Sequence, residues 1–184
     1  MRSSVTFRNR CTILLLMKSK SLAIAILLIA FAAHGLARER APRFNAMATT
    51  GEKFNNESIK GKVVLLEFWA SWCGYCETER PFIERLNDEF DGKGLLVLAI
   101  NVGESKNTVK KYLDKHPRKT RVVLTNDTNL AAMYAATSYP IYVVLDRDGN
   151  IAATQRGAAG EEALRALVAR AGLDGIDSAP KDSR

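Results

Sequence analysis

The sequence predicts an α/β domain in which a mixed central sheet carries helices on both faces. Three observations lead there. Val63–Trp69 and Leu95–Asn101 are nearly continuous apolar runs, as strands covered on both faces require. Each is followed by apolar residues at helical spacing, which suits parallel strands joined by a crossover. Ile141–Asp146 and Ile151–Gln155 flank the turn Arg147-Asp148-Gly149-Asn150 and read as an antiparallel hairpin.

The elements follow in order. Phe44–Asn55 contains Thr50-Gly51-Glu52 and is expected to form a short hairpin. Gly61-Lys62 then launches the strand Val63–Trp69. From Cys73 a helix is expected to about Phe90, with Phe82, Ile83, Leu86 and Phe90 at helical spacing and a kink at Pro81. Gly92–Gly94 turns the chain into Leu95–Asn101. Ser105 is the expected N-cap of a helix with Val109, Tyr112, Leu113 and His116 on one face, and Pro117 forbids its continuation. His116 is read as a capping or boundary residue. Val122–Leu124 reads as a short strand and Asn129–Tyr134 as a helical turn or two. The last helix, Glu161–Ala171, turns Leu164, Leu167, Val168 and Ala171 to the core. Acids in its first turn and Arg170 near its end complement the dipole, and Gly172 stops it.

Residues 1–37 read as a targeting segment rather than part of the fold. Leu22–Ala33 is a 12-residue apolar run, preceded by Lys18 and Lys20 and followed by small residues ending at Ala37. The run is shorter than the roughly 20 residues that a transmembrane helix needs. A cleaved signal peptide is expected, with an uncleaved anchor as the alternative. Met17 opens a compact signal of its own and is the expected start. Residues 38–177 are assigned to one domain and 178–184 to a flexible polar tail.

Removing that segment changes the reading of charge and cysteine content. The whole chain carries +7, yet residues 1–37 hold five basic and no acidic side chains, which leaves +2 for the remainder. The basicity is then a targeting property, and no nucleic-acid partner is expected. Cys11 is removed with the segment, so Cys73 and Cys76 are the only pair. A zinc site would need two more ligands, and only His116 remains among the histidines; no metal is expected.

Cys73-Gly74-Tyr75-Cys76 lies where a strand turns into a helix. A thiolate at a helix N-terminus faces unpaired backbone N–H groups and the positive end of the dipole, which lowers its pKa. The second cysteine, three residues on, lies one turn along the same face and can resolve a mixed disulfide.

The chain resembles thioredoxin-fold proteins of the TlpA/ResA-like family. The resemblance rests on Glu67-Phe68-Trp69-Ala70-Ser71-Trp72-Cys73-Gly74-Tyr75-Cys76, Glu79 and Pro81. Ala99-Ile100-Asn101-Val102-Gly103-Glu104-Ser105, Tyr139-Pro140 and Asp146–Asn150 add to it. It implies a thioredoxin-like fold in which Cys73 is the exposed nucleophile and Cys76 the more buried resolving thiol. It implies that Glu67 is a buried acid beneath Cys76, able to accept its proton; the alternative is an edge-facing carboxylate in water. Glu79 would tune the thiol pKa or stand as a solvated helix carboxylate. Pro140 would be a cis proline facing the motif, so that Trp72, Gly74, Tyr75, Tyr139 and Pro140 form the substrate surface. Tyr139 departs from the family, where smaller residues often stand. Trp69 is read as packing.

The function that follows is an extracytoplasmic, periplasmic thiol–disulfide oxidoreductase. It would reduce protein disulfides with no cofactor beyond the Cys73–Cys76 redox pair, act as a monomer, and be kept reduced by a membrane thiol electron donor. The Gly74-Tyr75 dipeptide resembles that of disulfide isomerases and keeps an isomerase or oxidase open. A reductant dedicated to cytochrome c maturation fits less well, because Thr137–Tyr142 lacks that group's usual segment around the proline. A copper-binding module of another class uses CxxxC with a distal histidine, and this chain has one residue too few between its cysteines.

Overall fold

A computed structural model describes residues 38–173 and 175. The chain divides into two units, Met1–Arg38 and Glu39–Arg184, and the description below concerns the second. The expected signal segment and the tail after residue 177 lie outside the described residues.

Seven strands form one mixed sheet. They are β1 (Asn45–Ala48), β2 (Lys53–Asn55), β3 (Val63–Trp69), β4 (Leu95–Asn101), β5 (Arg121–Thr128), β6 (Ile141–Leu145) and β7 (Ile151–Arg156). Their spatial order is β2-β1-β5-β4-β3-β6-β7. β4 runs parallel to β3 and β5, and the remaining neighbours pair antiparallel. The two uninterrupted apolar runs thus stand side by side at the centre, where every residue of both strands is buried. Continuous apolarity is what a strand covered on both faces demands.

The helices are α1 (Gly74–Phe90), α2 (Lys106–Leu113), α3 (Leu130–Met133) and α4 (Glu161–Arg170). Alternation along β3 divides the core. Val63 and Leu65 pack with Ile83, Leu86 and Phe90 of α1 and with Leu164, Leu167 and Val168 of α4. Val64, Leu66 and Phe68 face the other way, toward Leu130, Ala131 and the segment holding Phe44, Phe54 and Ile59. Helices cover both faces as expected, though unequally: among the described residues only the four-residue α3 lies on the second face. Farther along the first face, Trp69 and Ala99 pack with Val109 of α2 and with both cysteines.

Most boundaries fall where local chemistry places them. Ser105 caps α2, its hydroxyl accepting from Thr108 N–H at 3.1 Å. Gly172 ends α4 with a φ of 84°, a left-handed conformation that favours glycine. Pro81 sits inside α1. β5 departs most from expectation, running to Thr128 rather than stopping at Leu124. Asn126 and Asp127 are poor strand formers, but β1 pairs with this end and supplies the ladder. The register shifts between Ala46 and Ala48, where the polar stretch bulges.

Candidate active site

The strand-to-helix turn after β3 presents Cys73 and Cys76, which are joined as a disulfide with Cα atoms 5.2 Å apart. Cys73 is the N-cap of α1, and its Sγ accepts from the Cys76 backbone N–H at 3.1 Å. That N–H is one of the donors a helix start leaves without an intrahelical partner. It meets the atom that carries the charge when Cys73 is a thiolate, and a donor placed there favours that ion. Cys76 is 1% exposed and Cys73 7%. The first cysteine is the more accessible, yet it is buried rather than the exposed residue the resemblance implied, because Trp69, Ala70 and Val109 of α2 pack with both.

The turn is fixed from behind by Glu104. Its Oε2 accepts from Ser71 N–H at 2.7 Å and from Asn101 Nδ2 at 2.7 Å, and its Oε1 from Ser71 Oγ at 2.5 Å. Burial alone would raise the Glu104 pKa, but these three donors prevail and hold it below the ordinary carboxylate range. A lowered folded pKa contributes stability that is present above the unfolded value, about 4.3, and is lost as pH falls through the folded one. Glu104→Gln is expected to cost about 1–3 kcal/mol at neutral pH. It should also flatten the acid side of the stability–pH curve, measured by denaturant unfolding of the oxidised protein.

In front of the disulfide stands an aromatic rim. Trp72 and Tyr75 are 71% and 70% exposed, an unusual state for such large apolar groups. The Trp72 ring meets Tyr139 edge-on with centroids 5.7 Å apart. Tyr139 precedes Pro140 through a cis peptide bond, as the resemblance implied, and Pro140 is buried. A Cβ on Gly74 would meet no atom within 4 Å, so open space lies before the helix start. Trp72, Gly74, Tyr75, Tyr139 and Pro140 are therefore the residues from which a substrate surface could be built.

Beneath the motif, Glu67 is wholly buried in the central strand. This overturns the alternative of an edge-facing carboxylate in water. Its Oε2 accepts from Arg118 Nη1 at 2.6 Å, in a pair whose side chains are 0% and 1% exposed. The guanidinium stacks on the Trp69 ring, its carbon 4.1 Å from the centroid. Burial raises the Glu67 pKa, and the Arg118 charge opposes that rise.

For Glu79 the structure overturns the reading as a solvated helix carboxylate. The side chain is buried, and both oxygens are engaged: Ala159 and Gly160 N–H donate at 2.8–3.1 Å and Tyr142 Oη at 3.3 Å. It ties α1 to the start of α4 instead of standing free beside the thiols. Tyr142 is raised by burial and by the nearby Glu67 and Glu79 charges. Glu77, next to Cys76, accepts from Tyr112 Oη and from Arg80. Tyr112 stacks on His116 at 4.6 Å between centroids and is pushed up to about 12, by burial first and then by Glu77. His116, half-exposed past the end of α2, closes this group with Nδ1 3.6 Å from Glu77.

Arg118 was not singled out in the sequence, and Tyr112 entered only as a residue on the inner face of α2. Arg118 lies in the polar run Lys115–Thr120, where nothing distinguishes a buried cation from a solvated one. Glu104 stood within a stretch that carried the resemblance, but without an assigned task.

The Redoxin family model matches residues 36–169. Over 113 residues the chain is 29% identical to the thiol-disulfide oxidoreductase ResA of Bacillus cereus, covering 61% of this chain and 65% of that protein. It is 36% identical over 116 residues to the thioredoxin-like protein YneN of Bacillus subtilis, covering 61% and 67% of the two. A crystal structure of a putative thiol:disulfide interchange protein DsbE from Chlorobium tepidum superposes with a TM-score of 0.66 at 28% identity, covering 73% of this chain and 96% of that one. The chain belongs to the Redoxin family and has the thioredoxin-like fold of its TlpA/ResA-like members.

Proposed function

We propose that this protein is an extracytoplasmic thiol–disulfide oxidoreductase that reduces disulfides in protein substrates. The observation that carries the reading is the Cys73–Cys76 pair at the start of α1, with the Cys76 N–H on Cys73 Sγ. In the reduced protein, the Cys73 thiolate attacks one sulfur of a substrate disulfide. A mixed disulfide forms, and the other substrate sulfur leaves as a thiolate that takes a proton from water. Cys76 gives its proton to Glu67 and attacks Cys73 Sγ. The second substrate sulfur leaves, and two electrons have passed from the dithiol to the substrate.

The aromatic rim and Pro140 supply the surface on which an extended peptide would lie beside the thiols. The scheme needs no group from a second chain, which is consistent with action as a monomer. The apolar run Leu22–Ala33 and its basic flank support a periplasmic location. Among the described residues no helix is long and apolar enough to cross a membrane. In an oxidising compartment a membrane dithiol donor returns Cys73–Cys76 to the reduced state.

Equilibration of the full chain against glutathione buffers tests the direction. A potential near the thioredoxin value of about −270 mV is expected. A value above roughly −150 mV would sink the reductase reading and favour an oxidase.

A further inference from the structure

Two glutamates are buried near the motif, Glu67 on β3 and Glu79 on α1, and they are partnered differently. Glu79 has both oxygens occupied. Among the described residues, Glu67 has only Oε2 occupied, by Arg118, while Oε1 is buried without a partner. Arg118 is likewise half-used: its Nε and Nη2 are buried and unpartnered, as are Trp69 Nε1 and Asn101 Oδ1 nearby on β3 and β4. A buried ion pair kept only for stability gains little over apolar residues of the same volume, and leaving its atoms unsatisfied makes it worse still. This pair is poorly built as a brace. It is well built to hold one carboxylate oxygen unengaged.

The location fits that use. Val63, Leu65, Glu67 and Trp69 share the face of β3 that α1 covers. Leu65 packs with Ile83 and Leu86, Trp69 with Cys76, and Glu67 lies between them in the strand. Arg118 is delivered there by a loop fastened across α1. Lys119 N–H donates to Glu84 Oε2 at 2.9 Å, and Lys119 Nζ pairs with Asp88 at 2.6 Å. Its guanidinium is then held between the Trp69 ring and the Glu67 carboxylate.

We propose that Arg118 is a positioning residue of the resolving half-reaction, gripping Glu67 through Oε2 so that Oε1 is the atom that takes the Cys76 proton. This rests on the oxidoreductase reading above and on Glu67 as the acceptor within it. In the step, the Cys76 S–H bond breaks and an O–H bond forms at Oε1. The Cys76–Cys73 bond forms as the bond from Cys73 to the substrate sulfur breaks. Among the described residues, Arg118 is the positive charge that acts on Glu67. The other charged or titratable groups facing it are Glu79 and Glu84 of α1 and Tyr142 of β6, and both glutamates oppose its ionisation.

The test uses the reduced full chain and a chromogenic aromatic disulfide in stopped flow across pH. The first chromophore is released when Cys73 attacks, the second when Cys76 resolves the mixed disulfide. Arg118→Met is expected to leave the first release unchanged. It should move the acid limb of the second upward by at least one pH unit, or about tenfold in rate at a fixed pH on that limb. Arg118→Lys keeps the charge without the fork and should move the limb about half a unit, which keeps the proposal testable should Arg118→Met not fold. Glu67→Gln should remove the limb altogether. A limb that stays in place in whichever Arg118 variant folds, while Glu67→Gln abolishes it, overturns the role of Arg118 and leaves Glu67 as acceptor. A limb that survives Glu67→Gln overturns both. No chromophore release from the wild-type dithiol overturns the oxidoreductase reading itself.

Discussion

Cys73→Ser is expected to abolish disulfide exchange, and Cys76→Ser to convert the protein into a trap. The two results follow from an asymmetry within one turn of helix. Cys73 is the more accessible sulfur and receives the Cys76 N–H, so it is the sulfur stabilised as a thiolate. A serine hydroxyl at the same point ionises far too weakly to attack. Cys76 lies behind it, and without its thiol the mixed disulfide on Cys73 has no internal route to release. Non-reducing gels of cells producing Cys76→Ser should show higher-mass adducts that collapse with dithiothreitol, and Cys73→Ser should show none. Adducts on Cys73→Ser with none on Cys76→Ser would reverse the assignment of roles, and none on either would overturn it. Neither change should unfold the domain. The bond closes a loop of four residues and contributes only about 2 kcal/mol by the chain-entropy estimate.

Glu67→Gln is expected to lower kcat by about 10²–10⁴-fold with KM nearly unchanged, the range typical of losing a positioned proton acceptor. Equal losses in both constants would argue against proton transfer and for a disturbed substrate surface. The substitution also leaves Arg118 buried without its counter-charge, a loss of about 3–5 kcal/mol. Kinetics should therefore be measured well below the midpoint of thermal unfolding. Stability has its own check: Glu67→Gln combined with Arg118→Met removes both charges and should unfold at a higher temperature than Glu67→Gln alone. A pair that contributed nothing to each other would give additive losses instead.

Much of this was legible because it is local. Val63–Trp69 announces a fully buried strand, Ser105 a cap and Gly172 a stop, since each depends on neighbours within a turn or a pleat. The cis bond before Pro140 and the acid beneath the motif came through family resemblance rather than from periodicity. Glu79 shows the boundary clearly. At its helical spacing it looked like a residue beside the thiols, but its partners are Ala159 and Gly160, eighty positions along the chain. The polar end of β5 became a strand only because β1 lies next to it.

By itself, then, the sequence determined the alternation of strands and helices, the single redox pair and the place where that pair sits. These follow from apolar periodicity, cysteine spacing and the electrostatics of a helix start, none of which needs a distant partner. Only the tertiary structure decided the environment of Glu67. Desolvation depends on what covers a side chain, and ion pairing on which distant group is brought within reach. Here α1 covers the carboxylate, and a loop fastened to that helix brings Arg118 to 2.6 Å from one oxygen while the other stays unengaged.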